Sequence, residues 1–129
     1  MPTDLERLAQ ALVARCSAEA SIVDIGCGTG RDMAWFEQHG LCATGVDLSE
    51  GMLAYARRAV RGSLVSADAR ALPFGNKSFD AVWCCASLLH LPRADAPLAL
   101  REIRRVLKAD APLMLSMQEG RGDAWEPGY

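Results

Sequence analysis

The sequence predicts an α/β protein in which helices cover both faces of a parallel sheet. Two observations support this class. Short apolar or β-branched runs alternate with segments of helical periodicity, and glycine or proline marks most of the boundaries. The chain has 129 residues, of which 50% are hydrophobic and 23% are charged, as in an ordinary globular domain. We therefore expect a single domain over residues 1–129.

The first half of the chain contains an opening helix and then two strands, each followed by a helix. Glycine ends the second helix, and Ser49 is a suitable N-cap for the third. The predicted elements are a helix ending near Cys16, a strand over 21–25, a helix over 30–38, a strand over 42–46 and a helix over 49–60.

The second half contains three further strands and one helix. The fourth predicted strand is an almost unbroken apolar run, which is typical of a strand buried on both faces. Pro97 fits the first turn of the helix that follows it. The predicted elements are strands over 64–67 and 79–85, a helix over 97–107 and a strand over 112–117.

Composition and charge exclude several classes of partner. The net charge of −2 gives no general attraction to nucleic acid or to an anionic membrane. No apolar run reaches the ~20 residues of a membrane span. One basic cluster has helical spacing, and we interpret it as the solvated face of an amphipathic helix. Its members are Arg101, Arg104, Arg105 and Lys108.

The five cysteines are an odd number and lack the spacing of a disulfide framework. Four of them lie in or beside apolar runs, which is typical of buried thiols in a reducing compartment. No Cys-x-x-Cys pair is present, so we expect no structural metal. These features, with no sign of a signal peptide, predict a cytoplasmic protein.

The loop after the first strand carries the clearest chemical signal. Glycine occupies three alternate positions, Gly26, Gly28 and Gly30, which lets the backbone turn sharply and approach a ligand. The next helix presents free N–H groups and its positive dipole end to a carboxylate or phosphate. Asp24, at the strand end, suits a positively charged amine. Because three alternate glycines exceed what a tight turn needs, we favour a ligand-binding loop.

A dinucleotide-binding loop is the competing interpretation. Its fingerprint needs a third small residue at the position that Arg31 occupies, where helix and strand pack closely and the pyrophosphate approaches. Gly30 lies one residue before that position. An NAD-dependent enzyme is therefore disfavoured, although it stays an alternative.

Carboxylates also follow the second and third strands. Asp47 lies about twenty residues after the glycine loop, where an acidic side chain can bind both ribose hydroxyls. Its alternative role is that of a helix-entry carboxylate, which Ser49 already fills. Asp68 is placed to accept a hydrogen bond from an adenine amino group, although an Asp at a strand end is commonly a turn former.

Together these segments resemble the class I S-adenosylmethionine-dependent methyltransferases of the small-molecule type, in order and spacing, over almost the whole chain. The resemblance implies S-adenosylmethionine as cofactor, S-adenosylhomocysteine as product and a small-molecule acceptor. It also implies in-line methyl transfer, for which the protein aligns and dehydrates the reactants. The matching segments are residues 24–30, 45–52, 68–74, 79–91 and 101–108.

The resemblance further implies roles for individual residues. The cofactor-binding residues are Asp24, Gly26, Cys27, Gly28 and Gly30, with Arg31 beside them, for the methionyl amine and carboxylate, Asp47 for the ribose, Leu48 and Met52 for the adenine or sugar, Asp68 and Ala69 for the adenine edge, and Cys84 or its carbonyl for the methionyl end.

His90 follows the fourth strand, near the position where an acceptor should lie. A histidine there can act as a general base because its pKa lies near neutrality. The alternative is a loop histidine packed beside Leu89 and Leu91, or a wall on the cofactor side.

The chain departs from the family at its end. The family has seven strands, so we expect a partial Rossmann-like three-layer sandwich of five parallel strands in the order 3-2-1-4-5, lacking strands six and seven. Residues 112–117 would then form an uncharged sheet edge, and such edges recruit other strands. We expect a homodimer, or another chain, to cover this edge. The alternative is a tail that folds back over it, anchored by Trp125.

Methyl transfer to a small molecule is the leading functional prediction, with the acceptor and its reacting atom left open. A second hypothesis is a catalytically silent module that holds the cofactor or a partner chain, because much of the expected acceptor-binding half is missing. The NAD-dependent enzyme is the third.

Overall fold

The computed structural model describes residue 1, residues 3–85 and residues 93–116. These residues form a single sheet with helices on both faces, which confirms the predicted α/β class. The elements in chain order are α1 (Thr3–Ala14), β1 (Ser21–Ile25), α2 (Arg31–Gln38), β2 (Cys42–Asp47), α3 (Glu50–Ala56), β3 (Leu64–Ser66), β4 (Ala81–Cys85), a short 3-10 turn (Arg93–Asp95), α4 (Ala96–Val106) and β5 (Leu113–Ser116).

The five strands lie in the order β3-β2-β1-β4-β5, and every pairing is parallel. The predicted strand order is therefore confirmed. The chain direction across the sheet reverses between β1 and β4, because β2 and β3 extend to one side of β1 while β4 and β5 extend to the other. Ligands of open parallel sheets bind at such a switch point, outside the carboxyl ends of the strands. Asp24 lies at this point, in register with Gly45 of β2 and Trp83 of β4.

Two apolar clusters cover the two faces of the sheet. Successive strand residues point to opposite faces, so Ile22 belongs to one cluster and Val23 to the other. The first cluster joins the sheet to α1 and α2, with Phe36 against Trp83 at 5.0 Å between ring centroids. The second joins it to α4 through Ala99, Ile103 and Val106. This arrangement is the predicted three-layer sandwich.

Several element boundaries differ from the predicted ones. The helix α2 begins at Arg31 rather than Gly30, because Gly30 has a left-handed φ of 86° and only caps the helix. The strand β4 begins at Ala81 rather than residue 79, and Phe79 instead forms an isolated bridge with Leu107. The helix α3 is shorter than predicted and ends at Ala56.

The described residues contain neither a membrane-spanning helix nor a cluster of metal-ligating side chains. None of the described helices is long and apolar enough to cross a membrane. Within residues 3–85 and 93–116, no group of three His, Cys, Asp or Glu side chains is arranged to hold a metal ion.

A buried hydrogen bond fixes the start of α2 against the sheet. Asp32, in the first turn of α2, is 8% exposed, and its Oδ2 accepts a bond of 3.0 Å from Nε1 of Trp83. Its Oδ1 accepts a second bond of 3.0 Å from Nε of Arg31. Trp83 is fully buried, as the sequence predicts, and it also holds the helix that follows the glycine loop.

We expect the variant Trp83→Phe to unfold more easily than its loss of packing explains. Phenylalanine has no N–H, so the buried carboxylate of Asp32 loses a donor, at a cost of about 1–3 kcal/mol. Urea unfolding of Trp83→Phe, Asp32→Ala and the double variant measures the coupling between the two side chains. A coupling energy near zero would contradict the hydrogen bond's contribution.

Candidate functional site

The loop between β1 and α2 turns through three left-handed residues. Gly26, Gly28 and Gly30 have φ values of 79°, 56° and 86°. Residues with a Cβ adopt this region at a cost, so the turn itself needs glycine at all three positions. The inference that alternate glycines exceed the needs of a tight turn is therefore wrong.

The surroundings of these glycines separate packing from ligand approach. A Cβ added at Gly30 would lie 3.1 Å from Cβ of Ala56, so this glycine lets α3 pack against the loop. A Cβ added at Gly28 would meet no atom within 4 Å. Gly28 thus faces the open space at the carboxyl end of the sheet, which a ligand can enter.

Asp24 is a buried carboxylate beside this space. The residue is 2% exposed, and its Oδ2 has no hydrogen-bond partner among the described residues. Burial raises the pKa of Asp24 well above its ordinary value, and the negative charges of Asp32 and Asp47 raise it further, while Arg31 lowers it. Buried polar atoms normally have partners, so this oxygen indicates a missing donor. The cationic amine of a methionyl group fits it.

Asp47 ties two loops together at the end of β2. Its Oδ2 accepts a bond of 2.9 Å from the N–H of Gly28, and its Oδ1 accepts one of 2.9 Å from the N–H of Ser49. Oγ of Ser49 in turn caps α3 by accepting from the N–H of Met52 at 3.2 Å. Asp47 is thus a helix-entry carboxylate. Each oxygen keeps a lone pair, so binding of the ribose hydroxyls stays a prediction.

Leu48, just before α3, and Met52, in its first turn, are both exposed. Their exposed fractions are 62% and 45%, which are high for large apolar side chains. Both lie beside the loop that Asp47 ties, Leu48 directly after it and Met52 within the first turn of the helix. A bound adenosine would cover apolar surface here, and the assignment of these two residues to it stays a prediction.

Asp68 follows β3, and its carboxylate is bound by a neighbour. Nε and Nη2 of Arg70 donate to Oδ1 at 3.0 Å and to Oδ2 at 2.6 Å. These bonds lower the pKa of Asp68 and keep it ionised. Ala69 is half-buried against the core cluster that contains α4. Their contacts with adenine stay predictions.

The loop after Asp68 is held by α4, which the sequence analysis missed. Nη2 of Arg105 donates to the carbonyl of Leu72 at 2.9 Å, and Nη1 donates to the carbonyl of Phe74 at 2.7 Å. Glu102 accepts from the N–H of Leu72 at 2.8 Å. The interpretation of the basic cluster as a solvated face is wrong for Arg105, although Arg101 and Arg104 are exposed. The i,i+3 spacing of Glu102 and Arg105 indicates that they share a helix face, but it does not indicate which segment that face contacts.

The two cysteines assigned to the cofactor differ in their surroundings. Cys27 is 7% exposed, and burial, followed by the charges of Asp24 and Asp47, raises the pKa of its thiol to about 12. The thiol therefore stays protonated and is a poor nucleophile. Cys84 is fully buried in the cluster on the α4 side, so its side chain does not line the open space. Only its backbone is left as a candidate cofactor contact.

The remaining predicted residues are Arg31 and His90. Arg31 has a side chain that is 57% exposed and paired with Asp32 at 3.0 Å, so its charge partly offsets the buried carboxylates. His90 lies outside the described residues, as does the rest of 86–92. The structure thus gathers Asp24, residues 26–31, Asp47, Leu48 and Met52 around one loop.

Residues 22–110 match the model of a protein family that is described as a methyltransferase domain. Among curated proteins, the chain is 33% identical over 121 residues to the methyltransferase GfsG of Streptomyces halstedii, covering 86% of this chain and 43% of that protein. It is 40% identical over 106 residues to a malonyl-[acyl-carrier protein] O-methyltransferase of Erwinia pyrifoliae, covering 74% and 36%. It is 34% identical over 127 residues to the O-methyltransferase resE of Aspergillus sclerotiorum, covering 90% and 47%.

Solved structures give the same picture. The PH0226 protein of Pyrococcus horikoshii superposes with a TM-score of 0.74 at 31% identity, covering 84% of this chain and 54% of that one. An S-adenosylmethionine-dependent methyltransferase of Mesorhizobium loti superposes with a TM-score of 0.64 at 33% identity, covering 77% and 48%. The chain spans about half the length, or less, of the relatives it matches.

We expect the variant Asp24→Asn to stabilise the chain without ligand at neutral pH. The pKa of Asp24 is raised above its ordinary value of 3.8, so the folded chain keeps a proton that the unfolded chain releases. Stability therefore falls as the pH rises from that ordinary value toward the raised pKa. A neutral Asn escapes this loss, and the advantage of the variant should grow with pH. Urea unfolding over this range measures it.

The same variant should bind S-adenosylhomocysteine about tenfold more weakly or worse, since a charged hydrogen bond to the amine is lost. Asp4→Asn is the matched control, because Asp4 is exposed in α1. A stability difference that does not vary with pH would contradict a buried carboxylate without a partner.

Proposed function

Because the chain belongs to the methyltransferase domain family, we propose that it forms the cofactor-binding part of an S-adenosylmethionine-dependent methyltransferase that acts on an oxygen atom of a small-molecule acceptor. S-adenosylmethionine is the cofactor that the family and its structural neighbours imply.

The unsatisfied carboxylate oxygen of Asp24 is the observation that carries this proposal. It is buried at the switch point of the sheet, beside the open space at Gly28. A dinucleotide places a pyrophosphate at this loop, and a pyrophosphate offers no cationic donor to the carboxyl group of Asp24. A zwitterionic amino acid end presents an ammonium group, which Asp24 suits. The proposal therefore favours an amino-acid-bearing nucleoside over NAD.

The carboxylate of the same amino acid end fits the start of α2. The helix begins at Arg31, and the N–H of Ala34 is the first that bonds back within it, to the carbonyl of Gly30 at 2.8 Å. The preceding N–H groups are donors for an anion, and the helix dipole favours negative charge there. We assign Asp47 to the ribose and Leu48 and Met52 to the adenosine surface.

S-adenosylmethionine, when bound, supplies a methyl group that its sulfonium already activates. The residues of this chain would hold the two ends of the cofactor, fix its orientation and exclude water from the sheet edge. Cys27 takes no chemical part, because its thiol is buried and protonated. We keep His90 as the candidate general base on the strength of the resemblance alone.

An oxygen acceptor is supported by the relatives. Two of the three curated proteins are named as O-methyltransferases, and one of these names malonyl-[acyl-carrier protein] as its substrate. We extend only the reacting atom to this chain. The net charge of −2 supports a small acceptor rather than a nucleic acid.

The cytoplasm is the compartment we propose. None of the five cysteines forms a disulfide, and three of them lie in or beside the glycine loop and β4. Thiols that persist in this form indicate reducing surroundings.

We expect S-adenosylhomocysteine, but not NAD, to raise the melting temperature of the chain. A ligand that binds only the folded state stabilises it by about 2.7 kcal/mol at a hundredfold excess over its Kd. Asp47→Ala should reduce this shift while leaving the chain folded, and Asp4→Ala, at an exposed position of α1, is the control. A shift with NAD alone would overturn the proposed cofactor.

Methyl transfer itself is tested with labelled S-adenosylmethionine and a panel of hydroxyl, carboxyl, amine and thiol acceptors. Transfer to an oxygen acceptor supports the proposal. Tight binding of S-adenosylhomocysteine without transfer to any acceptor would instead support the silent module.

We also propose that β5 mediates a homodimer. Among the described strands, β5 pairs only with β4, and its four residues Leu113–Ser116 carry no charge. Leu113 is 41% exposed. Uncharged, uncovered edges recruit other strands, and a twofold dimer is the commonest closed solution.

Light scattering should therefore report a dimer, and Leu113→Lys should convert it to a monomer because edge lysines oppose pairing. Leu98→Lys is the matched control, since Leu98 is a similarly exposed leucine, at 44%, that belongs to α4 and not to β5. A monodisperse monomer of the unmodified chain would refute the dimer.

A further inference from the structure

Arg70 joins two carboxylates that the sequence places far apart. Nε and Nη2 of its guanidinium donate side by side to the two carboxylate oxygens of Asp68, an arrangement called here the fork. Its Nη1 donates to Oδ2 of Asp95 at 2.9 Å. Asp95 ends the short 3-10 turn that leads into α4. The loop after β3 is therefore fastened to the start of α4 by Arg70, as it is fastened further along by Arg105.

The fork leaves the Asp68 carboxylate with one acceptor position. Oδ1 accepts from the backbone N–H of Arg70 at 2.8 Å. Oδ2 accepts from Nη2 at 2.6 Å, and the single N–H of Nε is shared between both oxygens at 3.0 Å. These three N–H groups occupy three of the four lone pairs of the carboxylate, so one acceptor position remains. The planar guanidinium fixes the plane of the carboxylate, in which this acceptor position lies.

One further charge, that of Asp95, bears on the Asp68–Arg70 pair. Asp95 restrains Arg70 from the α4 side, with a side chain that is 25% exposed, while those of Asp68 and Arg70 are 26% and 41% exposed. At such exposure ion pairs contribute little to folding stability. Arg70 and the two carboxylates therefore add little to the stability of the fold. Their arrangement is better explained by the orientation that it gives to the Asp68 carboxylate.

We propose that Arg70 is the positioning residue for base recognition: by orienting Asp68 with a single free acceptor position, it makes this loop select a purine with an exocyclic amine over one with a 6-oxo group. This inference rests on the proposed function, in which the carboxyl ends of the strands bind an adenosine. It adds Arg70, with Asp95 as its anchor, to the residues that determine the base.

The test compares the Kd values of S-adenosylhomocysteine and S-inosylhomocysteine by calorimetry. The two ligands differ on one edge of the purine, in the group at position 6 and in the proton that the 6-oxo form carries on N1. Their ratio therefore reports recognition of this edge, and Asp68→Ala isolates the part that is due to the carboxylate. We expect the unmodified chain to prefer the adenine compound by about tenfold or more, the effect of one charged hydrogen bond. Arg70→Ala should reduce this preference to that of Asp68→Ala, with little change in the unfolding midpoint.

Two variants and one control sharpen the result. Arg70→Lys keeps the charge but loses the fork, so it should restore the preference only in part. Asp95→Asn leaves Asp68 and Arg70 in place and should reduce the preference less than Arg70→Ala. Arg101→Ala is the matched control, because Arg101 is an exposed arginine of α4.

The outcomes separate this inference from the proposed function. An unchanged preference in folded Arg70→Ala overturns the inference and leaves the function standing. Equal binding of both ligands to the unmodified chain does the same. Failure of the unmodified chain to bind S-adenosylhomocysteine at all overturns the function and the inference together.

Discussion

Asp24 occupies the central strand of the sheet, with β2 on one side and β4 on the other, and one of its carboxylate oxygens has no partner among the described residues. A buried polar group without a partner opposes folding, and apolar packing on both faces of β1 has to offset this cost. The two neighbouring carboxylates, by contrast, have donors. Asp32 accepts hydrogen bonds from Trp83 and Arg31, and Asp47 accepts hydrogen bonds from the N–H groups of Gly28 and Ser49. Of these three carboxylates, only Asp24 has an oxygen without a donor among the described residues, and it lies beside the open space at Gly28.

Side-chain hydrogen bonds fix two loops, the glycine loop and the loop after β3. Asp47 joins the glycine loop to the start of α3 through hydrogen bonds to both segments. On the other side of the sheet, α4 grips the loop after β3 through Glu102, Arg105 and, by way of Asp95, Arg70. Loops that carry binding residues are more effective when side-chain bonds fix them in advance, because less freedom is then lost on binding. Each of these contacts joins segments that are remote in sequence.

The alternation of strands and helices was predictable because hydrophobic periodicity and glycine or proline boundaries are local properties. The strand order followed from the resemblance. Boundaries were less accurate, because Gly30 and Phe79 owe their conformations to contacts with α3 and with Leu107. The turn accounts for all three glycines of the loop, because each has a left-handed φ. Ligand binding at this loop stays a prediction, which the open space beside Gly28 supports.

The sequence by itself determined the fold class, the position of the glycine loop, and the carboxylates Asp24, Asp47 and Asp68 at the strand ends, because these depend only on residue type and spacing. Only the tertiary structure decided the state of each carboxylate. Whether a carboxylate has a donor depends on groups from other parts of the chain. Asp32 accepts from Trp83, and Asp47 accepts from the N–H of Gly28. Asp68 accepts from Arg70, which the more distant Asp95 also binds. Hydrogen bonds are short and directional, so a sequence that fixes which groups are present does not fix which of them meet.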